Sequence, residues 1–347
     1  MQALTYQGPN QIVPTEVADP VPADLDGVVV EIGLCGICGS DLHIYHGHGF
    51  SPDLGFCVGH EAIGRVAAVG SGVRRFAVGD RVLVPASVGC DSCANCRRGL
   101  VSRCLLGRGN CYGLSHGLEG SQAQAVAVPW ADANLLAIPD GIGDEAALVL
   151  TDNLPTAWYG ARRARIAPGD TVAVIGLGSV GLLAVMAAQV FGAARVLAID
   201  LVADRRRHAE HLGAEAVDDP DVKAGVAEAT AGRGPDVVIE AVGLDATIDL
   251  AVKLVGQGGH VSVVGVSQSM DLSFPMALAM VKELEFAIGL CSVQAELPTL
   301  VPLVASGRLR PEAVITHRMG LSQGAEAYQL FAGRTGGVGK VVLDPSR

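Results

Sequence analysis

The sequence predicts an α/β protein with two domains, of which the first is rich in β-strands and the second contains a doubly wound parallel sheet. The length of 347 residues exceeds the size at which one hydrophobic core stops growing, which favours two domains. Residues 1 to about 150 contain short Val-rich runs, such as Gly27 to Ile32, that are bounded by Gly, Pro and Asp as strands are. From Pro168 to about Gly289, strand patterns alternate with helical patterns, which is typical of βαβ units around a parallel sheet.

The composition describes a globular protein whose partner is neither nucleic acid nor a membrane. Half of the residues are apolar and 18% are charged, which is unlike a disordered chain. The formal net charge is −11, and no long block of Lys or Arg offers a basic face to phosphates. Thr171 to Ala194 carries no charge, but Gly176, Gly178 and Gly181 divide it. This division favours a buried strand, turn and helix over a membrane helix.

Two features predict a cytoplasmic protein. Met1 to Asn10 lacks the basic start and the apolar core of a signal peptide. The nine cysteines include a tight cluster and are not spread as disulfide partners. Clustering of this kind favours metal binding in a reducing compartment.

The first domain is predicted to be a small barrel-like β domain, because the glycines between Arg65 and Val84 are spaced as hairpin turns are. It contains four cysteines with the spacing C-x2-C-x2-C-x7-C, namely Cys90, Cys93, Cys96 and Cys104. This spacing lets a tight loop wrap four thiolates around one tetrahedral Zn²⁺, and four thiolates leave the metal no open position. The predicted zinc site is therefore structural. A chance grouping of loop cysteines and a redox dithiol, which needs only two of the four, are the alternatives.

The second domain is predicted to have five strands with helices between them. The strands are Thr171 to Ile175, Arg195 to Ile199, Pro235 to Glu240, His260 to Gly265 and Glu285 to Ile288. The helical patterns include Val180 to Phe191, Ala203 to Leu212 and Ala246 to Val255.

A glycine-rich turn joins the first of these strands to the first helix. It reads Gly176-Leu177-Gly178-Ser179-Val180-Gly181, and Asp200 follows at the end of the next strand. Glycines at these positions let a backbone approach a pyrophosphate at a helix N-terminus, and the carboxylate can accept hydrogen bonds from ribose hydroxyls. The carboxylate would repel a 2′-phosphate, so NAD is favoured over NADP, although Arg205 nearby leaves NADP open. Glycines that serve only the packing of helix on sheet are the alternative.

A second candidate metal site lies between Gly36 and His60. The run Cys38-Gly39-Ser40-Asp41-Leu42-His43 opens this stretch and Gly59-His60-Glu61 closes it. A thiolate and an imidazole suit Zn²⁺, and a catalytic zinc has three protein ligands and one open position. With nine Cys and nine His in the chain, one such pair also arises by chance, so the rest of the chain must supply support.

These motifs together resemble those of the zinc-dependent medium-chain alcohol dehydrogenases. The runs around Cys38 and His60, the four-cysteine loop, the dinucleotide turn with Asp200, and Thr151-Asp152-Asn153-Leu154-Pro155-Thr156 occur in that family's order over essentially the full chain. The domains that the resemblance implies are a GroES-like β-barrel catalytic domain at residues 1–153 and 290–347, with a structural zinc lobe at about 88–106, and a Rossmann NAD-binding domain at 154–289.

The resemblance makes Cys38, His60 and Asp152 the ligands of a catalytic zinc. Asp152 stands where other members carry Cys, so the chain resembles bacterial members with Asp as third ligand. Thiolate, carboxylate and neutral imidazole then cancel the charge of Zn²⁺. An ordinary helix N-cap is the alternative for Asp152. Glu61 resembles a glutamate that visits the metal during ligand exchange, or it is an internal salt-bridge partner. Asp41 matches a residue that orients the histidine ligand and fixes its tautomer.

The same resemblance assigns roles in proton transfer and in binding the nicotinamide. Ser40 and His43 are similar to a relay that carries the substrate's hydroxyl proton, by way of the ribose 2′-hydroxyl of NAD, to water. Thr156 and Val180 match positions that pack against the nicotinamide, and simple core packing is the alternative for both.

Several residues depart from the family's pattern or lie outside it. Gly39 stands where some members carry an Arg on the pyrophosphate, so Lys340 is the candidate for that charge. His46 and His48 are interpreted as a loop on the rim of the active site and not as a metal site, because no further ligand is paired with them. The cysteines left unassigned are expected to be buried, inert thiols, namely Cys35, Cys57, Cys111 and Cys291.

The combined prediction is a zinc-containing oxidoreductase that transfers a hydride between a primary or secondary alcohol, or the corresponding aldehyde or ketone, and NAD. It is expected to hold two Zn²⁺ ions per chain. A polyol or threonine dehydrogenase of the same superfamily, and a nucleotide-binding homologue without catalysis, are the alternatives. The resemblance implies a homo-oligomer, a dimer or tetramer, in which Glu285 to Ile288 supplies an edge strand. Substrate choice is expected to depend on loops 45–57, 108–120 and 267–295.

Overall fold

A computed structural model describes residues 1–49, 51–107 and 111–347. The chain divides into two compact units, Met1–Pro155 with Ser292–Arg347, and Thr156–Cys291. Residue 50 and residues 108–110 belong to loops that are expected to shape the substrate pocket, and they lie outside the described residues.

The first part of the chain contains seven strands and three helices and ends in a fourth helix. The strands are β1 (Gln2–Gly8), β2 (Gln11–Glu16), β3 (Val28–Ile37), β4 (Ala62–Val69), β5 (Arg81–Val84), β6 (Ala125–Val128) and β7 (Leu136–Ala137). The helices are α1 (Asp41–Tyr45), α2 (Ala131–Asn134), α3 (Asp144–Val149) and α4 (Asn153–Arg163).

The middle and last parts follow the same chain order. The middle part contains β8 (Thr171–Ile175), α5 (Ser179–Phe191), β9 (Arg195–Ile199), α6 (Ala203–His211), β10 (Glu215–Ala216), α7 (Val222–Ala229), β11 (Val237–Glu240), α8 (Asp245–Leu254), β12 (His260–Val263), α9 (Met276–Val281) and β13 (Glu285–Ile288). The last part contains α10 (Val293–Ala305), β14 (Ile315–Gly320), α11 (Gly324–Gly333) and β15 (Lys340–Asp344).

The main sheet of the first unit brings distant parts of the sequence to one end. Its strand order is β14-β15-β3-β4-β5-β7, and β6 also pairs with β3. Both β4 and β15 run antiparallel to β3, with Ile37 opposite Val341. The residue after β3, the residue before β4 and the first residue of β15 therefore meet at the same end of the sheet. These residues are Cys38, Glu61 and Lys340.

The second unit is a six-stranded parallel sheet with the order β10-β9-β8-β11-β12-β13. The interior strands are rich in β-branched residues and are buried, as parallel strands covered on both faces are. The chain moves outward from β8 in one direction and then returns to β11 on the other side. Ligands bind at such a reversal of strand order, outside the carboxyl ends of the strands. The predicted α/β class and doubly wound sheet are confirmed.

Among the described helices, none is both long enough and apolar enough to cross a membrane. The glycine-divided stretch that begins at Thr171 folds as the strand β8, a turn and the helix α5.

Candidate functional site

Four potential metal ligands converge at the end of the main sheet of the first unit. The ligand atoms of Cys38, His60, Glu61 and Asp152 all lie within 4.8 Å of one another. Cys38 Sγ is 3.5 Å from Asp152 Oδ2, and His60 Nε2 is 3.6 Å from the same oxygen. Cys38 and His60 are buried, whereas 17% of the Asp152 side chain is exposed. The cluster therefore has the donor set of a zinc site, with its exposed side at the aspartate.

The ring of His60 is oriented by Asp41. Nδ1 of His60 lies 3.2 Å from Asp41 Oδ1, close enough for an ion pair but not aligned as a hydrogen bond. Asp41 is itself held, because its Oδ2 accepts hydrogen bonds from the Cys38 backbone N–H at 2.9 Å and from Gln122 Nε2 at 3.2 Å. With Nδ1 facing a carboxylate, Nε2 is the nitrogen that points into the cluster and is available to a metal.

The electrostatics of the cluster favour a bound cation. Burial raises the pKa of the Cys38 thiol, and the Asp152 carboxylate beside it raises that pKa further. Burial lowers the pKa of His60, but Asp41 and other neighbours more than offset this, and the net shift is well upward. Burial raises the pKa of Asp152, whereas His60 lowers it, with a net downward shift. A divalent cation would stabilise the thiolate and the carboxylate together, so these residues fit zinc.

Glu61 and Lys340 form a buried ion pair beside the cluster. Both side chains are essentially inaccessible, and Lys340 Nζ donates to Glu61 Oε2 and, at 3.1 Å, to the carbonyl oxygen of Ile37. Burial raises the pKa of Glu61, and the Lys340 ammonium opposes that rise. A Cβ atom at Gly36 would collide with Glu61 Oε2, so this residue must be glycine for the pair to form. Lys340 is thus fully buried and paired with Glu61, and its contact with a cofactor pyrophosphate stays a prediction.

Asn153 lies against three of the four candidate ligands, and the sequence reasoning did not single it out. Its Nδ2 is 2.8 Å from Glu61 Oε1, 2.9 Å from Asp152 Oδ2 and 3.5 Å from Cys38 Sγ. The side chain is fully buried. Its position directly after Asp152 was the only sequence signal, because no spacing rule marks an amide at the start of a helix as part of a metal site.

The two relay candidates lie at the start of α1 and within it. Ser40 precedes this helix but makes no side-chain capping hydrogen bond, and its Oγ is 3.3 Å from His60 Nε2. The hydroxyl is therefore directed at the cluster. His43 follows within the same short helix and is half-buried.

The four-cysteine loop forms a second cluster whose sulfur atoms also lie within 4.8 Å of one another. Backbone N–H groups donate to three of the sulfurs, from Cys93 to Cys90 at 3.3 Å, from Cys96 to Cys93 at 3.5 Å and from Cys90 to Cys104 at 3.4 Å. Burial opposes ionisation of Cys90, but hydrogen bonds from Ser92, Cys93 and Cys104 together lower the pKa of its thiol to about 6. All four cysteines are free of disulfides. A closed ring of four thiols with N–H donors suits a structural Zn²⁺.

The dinucleotide turn lies at the reversal of strand order in the second unit. Gly176 has φ +88°, and a Cβ atom there would collide with Val242. A Cβ atom at Gly181 would collide with the carbonyl oxygen of Gly176. Gly178, which precedes α5, has open space where its Cβ would be. The close approach of strand and helix thus requires glycine at two positions, while the third leaves room beside the N-terminus of α5.

Asp200 is tied to this turn. Its Oδ2 accepts a hydrogen bond from the Leu177 N–H at 2.7 Å, and its Oδ1 accepts one from the Val202 N–H at 2.8 Å. Arg205 Nη1 lies 3.8 Å from Asp200 Oδ2, and the two side chains are 15% and 9% exposed respectively. The carboxylate is therefore at the predicted place with a guanidinium beside it. Val180 is half-buried in the first turn of α5, and Thr156 is half-buried on α4.

The remaining histidines and cysteines fall outside the two clusters. His46 and His48 are exposed and belong to neither group of potential metal ligands found among the described residues. His46 Nδ1 contacts Asn10 Oδ1 at 3.1 Å. The expectation of buried thiols holds for three of the four unassigned cysteines, but Cys111 is partly exposed. Burial raises the pKa of the Cys111 thiol to about 11 although His60 lowers it, and the electrostatic interactions of Cys111 with His60 and Asp152 show that it is near the Cys38 cluster.

Two family models match the chain. Residues 24–140 match the alcohol dehydrogenase GroES-like domain, and residues 179–306 match the zinc-binding dehydrogenase family. Among curated relatives, a probable zinc-binding alcohol dehydrogenase of Mycobacterium tuberculosis is 40% identical over 97% of this chain and 86% of its own length. An alcohol dehydrogenase of Cupriavidus necator is 35% identical over 99% of both chains.

Solved structures agree with these matches. The alcohol dehydrogenase TADH from Thermus sp. ATN1 has a TM-score of 0.92 and 38% identity over 99% of both chains. An NAD-dependent alcohol dehydrogenase has a TM-score of 0.86 with 28% identity over 99% of both chains. A zinc-binding dehydrogenase from Sinorhizobium meliloti, bound to NADP, has a TM-score of 0.84 with 29% identity over 99% of both chains.

Proposed function

Since the chain belongs to the zinc-dependent medium-chain alcohol dehydrogenase family, we propose that it oxidises a primary or secondary alcohol, or reduces the corresponding aldehyde or ketone, with NAD as its cofactor. It is a zinc-dependent oxidoreductase that uses a nicotinamide cofactor. The observation that carries the finer proposal is the convergence of Cys38, His60 and Asp152 at one partly exposed point.

Cys38 Sγ, His60 Nε2 and one oxygen of Asp152 hold the catalytic zinc. When bound here, Zn²⁺ would supply the Lewis acidity that lowers the pKa of an alcohol hydroxyl, and a bound NAD would supply the hydride acceptor. A thiolate, a carboxylate and a neutral imidazole together cancel the charge of the ion, which suits a site that binds alcohol and releases product. The Glu61 carboxylate adds no net charge, because Lys340 neutralises it in the same buried pair.

Ser40 and His43 move the substrate proton. The Ser40 hydroxyl sits 3.3 Å from His60 Nε2, so it is within reach of a substrate oxygen that occupies the open side of the cluster. A hydroxyl can accept one proton while it donates its own, which suits a relay. His43 lies on α1, the short helix that Ser40 precedes, and would pass the proton on towards solvent.

The four-cysteine loop binds a second, structural Zn²⁺, so that each chain holds two ions. Two observations support this assignment: the four sulfurs lie within 4.8 Å of one another, and backbone N–H groups donate to them. With four thiolate ligands, that ion has no position open to substrate.

The unit Thr156–Cys291 binds NAD, and the unit Met1–Pro155 with Ser292–Arg347 carries the chemistry. The pyrophosphate binds at the N-terminus of α5, beside Gly176, Gly178 and Gly181. Asp200 accepts hydrogen bonds from the ribose hydroxyls. Val180 and Thr156 pack against the nicotinamide. The Arg205 guanidinium beside Asp200 would favour NADP. The Asp200 carboxylate outweighs this effect, because a carboxylate repels the 2′-phosphate of NADP.

The protein assembles as a homo-oligomer in the cytoplasm. The strand β13 ends the order of the described parallel sheet, and Ile288 on it is 57% exposed. Met276, Met280 and Val281 on α9 are also exposed. An apolar edge of this kind is suited to pairing with a second copy, as a dimer or as part of a tetramer.

The experiment that tests this function combines metal analysis with a substrate panel. Purified protein should contain two zinc ions per chain and should reduce NAD in the presence of some members of a panel of primary, secondary, aromatic and polyhydroxy alcohols. Fewer than two zincs would remove one of the assignments, and activity with none of the alcohols would overturn the proposal. A preference for polyhydroxy substrates would point to the polyol dehydrogenases of the superfamily.

The cofactor assignment has a separate test. Asp200→Ala should weaken NAD binding by about 1.5–3 kcal/mol, or roughly tenfold to a hundredfold, because a charge-assisted hydrogen bond is lost. NADP binding should weaken less, since the repelling carboxylate is gone. An unchanged ratio of the two dissociation constants, measured by fluorescence titration, would contradict the preference for NAD.

A further inference from the structure

Asn153 occupies the space between the two carboxylates of the Cys38 cluster. Its Nδ2 lies 2.8 Å from Glu61 Oε1 and 2.9 Å from Asp152 Oδ2, so one amide nitrogen bridges the two acids. Cys38 Sγ is farther away, at 3.5 Å. The side chain is fully buried, so water does not compete for these hydrogen bonds. Asn153 therefore contacts every cluster member except His60.

The geometry determines which way the amide faces. An amide NH₂ group has two hydrogens, and the two closest neighbours are carboxylate oxygens, which only accept when ionised. If the amide were turned over, its carbonyl oxygen would face two carboxylates and a sulfur. In the observed orientation Nδ2 makes these contacts, while the buried Oδ1 makes no hydrogen bond. The contacts to the acids thus decide the orientation even though they leave the carbonyl oxygen unsatisfied.

The two carboxylates have different second partners. Glu61 Oε2 is paired with the Lys340 ammonium, so the donors on Glu61 come from Lys340 on one oxygen and Asn153 on the other. Asp152 Oδ2 receives the same amide but also faces Cys38 Sγ and His60 Nε2. Both oxygens of Glu61 therefore accept from protein donors, whereas the bridged oxygen of Asp152 is directed at the two other ligand candidates.

We propose that Asn153 is a positioning residue of the zinc site, whose amide holds Asp152 in the ligand set and keeps Glu61 out of it. The proposal rests on the zinc-binding function proposed for this cluster. Two carboxylates beside one dication compete for it, and without the amide between them they also repel each other. By donating one hydrogen to each, Asn153 fixes both carboxylates and assigns them different roles.

The fold places Asn153 rigidly enough for this role. It is the first residue of α4, and Pro155 in the first turn of the helix restricts the backbone there. Its neighbour Thr151 is also fully buried, but the hydroxyl of Thr151 donates to the Leu148 carbonyl oxygen at 2.6 Å and not to the cluster. Thr151 is thus a matched control for a lost buried hydrogen bond at the same helix end.

The test replaces Asn153 by leucine, which has a similar size and no donors, and Thr151 by valine as the control. In Asn153→Leu, we expect zinc to leave the catalytic site to a chelator about 10- to 100-fold faster, with a comparable loss in kcat/KM. After exchange of cobalt into the catalytic site, the visible absorption bands should shift, because the donor set changes. Thr151→Val should retain the wild-type release rate and spectrum. Asn153→Ala is made in parallel, since alanine makes no steric demand if leucine prevents folding.

A double-mutant cycle identifies the route of the effect. If Asn153 acts by restraining Glu61, the effects of Asn153→Leu and Glu61→Gln on zinc release should be strongly non-additive. Additive effects of the two substitutions on zinc release would show that Asn153 does not act by restraining Glu61. Unchanged release, spectrum and kcat/KM in both Asn153 variants would overturn the positioning role while leaving the zinc site in place. Absence of zinc from the Cys38 cluster of the wild-type protein would instead refute the proposed function itself.

Discussion

The four-cysteine loop and the Cys38 cluster both have the donors of a zinc site, but the protein holds them in different ways. The loop places its ligands within 14 positions of sequence, and its own backbone N–H groups orient the sulfurs. In the Cys38 cluster, Cys38 and Asp152 are 114 positions apart. Their geometry depends on the register of the main sheet and on buried polar side chains from other elements. The local site should thus be robust to distant substitutions, whereas the distributed site should be sensitive to them.

The largest contrast is expected when one ligand is removed from each site. Cys38→Ala should lower kcat by about a thousandfold or more, because a Lewis acid contributes several kcal/mol of transition-state stabilisation. NAD binding and the thermal midpoint should change little. Steady-state kinetics and a cofactor titration measure these quantities, and unchanged turnover would refute the catalytic assignment.

Cys96→Ala is the counterpart in the loop. It should lower the thermal midpoint of unfolding, and it should reduce the zinc content by one ion per chain. The metal of the Cys38 cluster should be retained, with an unchanged absorption spectrum after cobalt exchange. Loss of the catalytic metal in this variant would show that the two sites are not independent.

The next largest effect is expected at the buried ion pair. Lys340→Met should cost about 3–5 kcal/mol in the free energy of unfolding, because it leaves Glu61 as an unpaired buried charge. Glu61→Gln in the same background should restore much of the loss. The control is Lys253→Met, since Lys253 pairs with Asp249 on the surface of a helix and should contribute only about 0.3–0.5 kcal/mol. Equal losses in denaturant unfolding at the two lysines would contradict the structural role of Lys340.

A smaller effect is expected at Gln122, which holds Asp41 and does not itself belong to the Cys38 cluster. Gln122 donates to Asp41 at 3.2 Å and to the Gly36 carbonyl oxygen at 2.9 Å, and Tyr328 donates to Gln122 at 2.8 Å. Gln122→Leu should destabilise the protein by about 1–3 kcal/mol, because buried partners lose their hydrogen bonds. It should also speed zinc release, since Asp41 is less firmly held. If Gln122→Leu lost stability but did not release zinc faster, Gln122 would not contribute to the metal site, and the supporting residues would end at Asp41.

The smallest effect is expected at the protein surface. His116 contacts Glu119 Oε1 at 2.7 Å and the Leu54 carbonyl oxygen at 2.9 Å, and Glu119 accepts from the Cys57 N–H at 2.6 Å. The hydrogen bond to Glu119 raises the pKa of His116 above its ordinary value of 6.5. The protonated His116 therefore stabilises the folded protein fully below pH 6.5, and this stabilisation is lost as the pH rises through the raised pKa of His116.

His116→Ala should consequently cost about 0.2–1 kcal/mol at low pH, because the pair is exposed, and nothing at high pH. Unfolding free energies of the variant and the wild type across this range measure the difference. A difference that does not depend on pH would show that the imidazolium is not what ties these loops together.

The predictability of the fold followed the strength of local patterns. The strands Thr171–Ile175, Arg195–Ile199 and Glu285–Ile288 were predicted with the bounds that the structure has. The strand predicted from Pro235 begins at Val237, because a proline at the edge of a run contributes no ladder hydrogen bond. The strand Glu215–Ala216 was not predicted, since two residues carry no periodic pattern.

Only the site residues that belong to sequence motifs, such as Cys38, His60 and Asp152, were predictable from the sequence. Side chains that act through shape or burial have no spacing rule, which is why neither the role of Asn153 nor the pairing of Lys340 with Glu61 was predicted. The orientation of the His60 ring likewise follows from Asp41 and Gln122, which come from different parts of the chain.

The sequence by itself determined the features whose parts lie close together along the chain, namely the four-cysteine loop and the glycine turn. In both, a short backbone segment can adopt few conformations, so residue spacing is nearly equivalent to geometry. Only the tertiary structure decided which groups surround Cys38. Lys340 and Glu61 are 279 positions apart and meet because β15 and β4 flank β3 at the same end of one sheet. Contacts of that kind depend on strand register and burial, which no local pattern encodes.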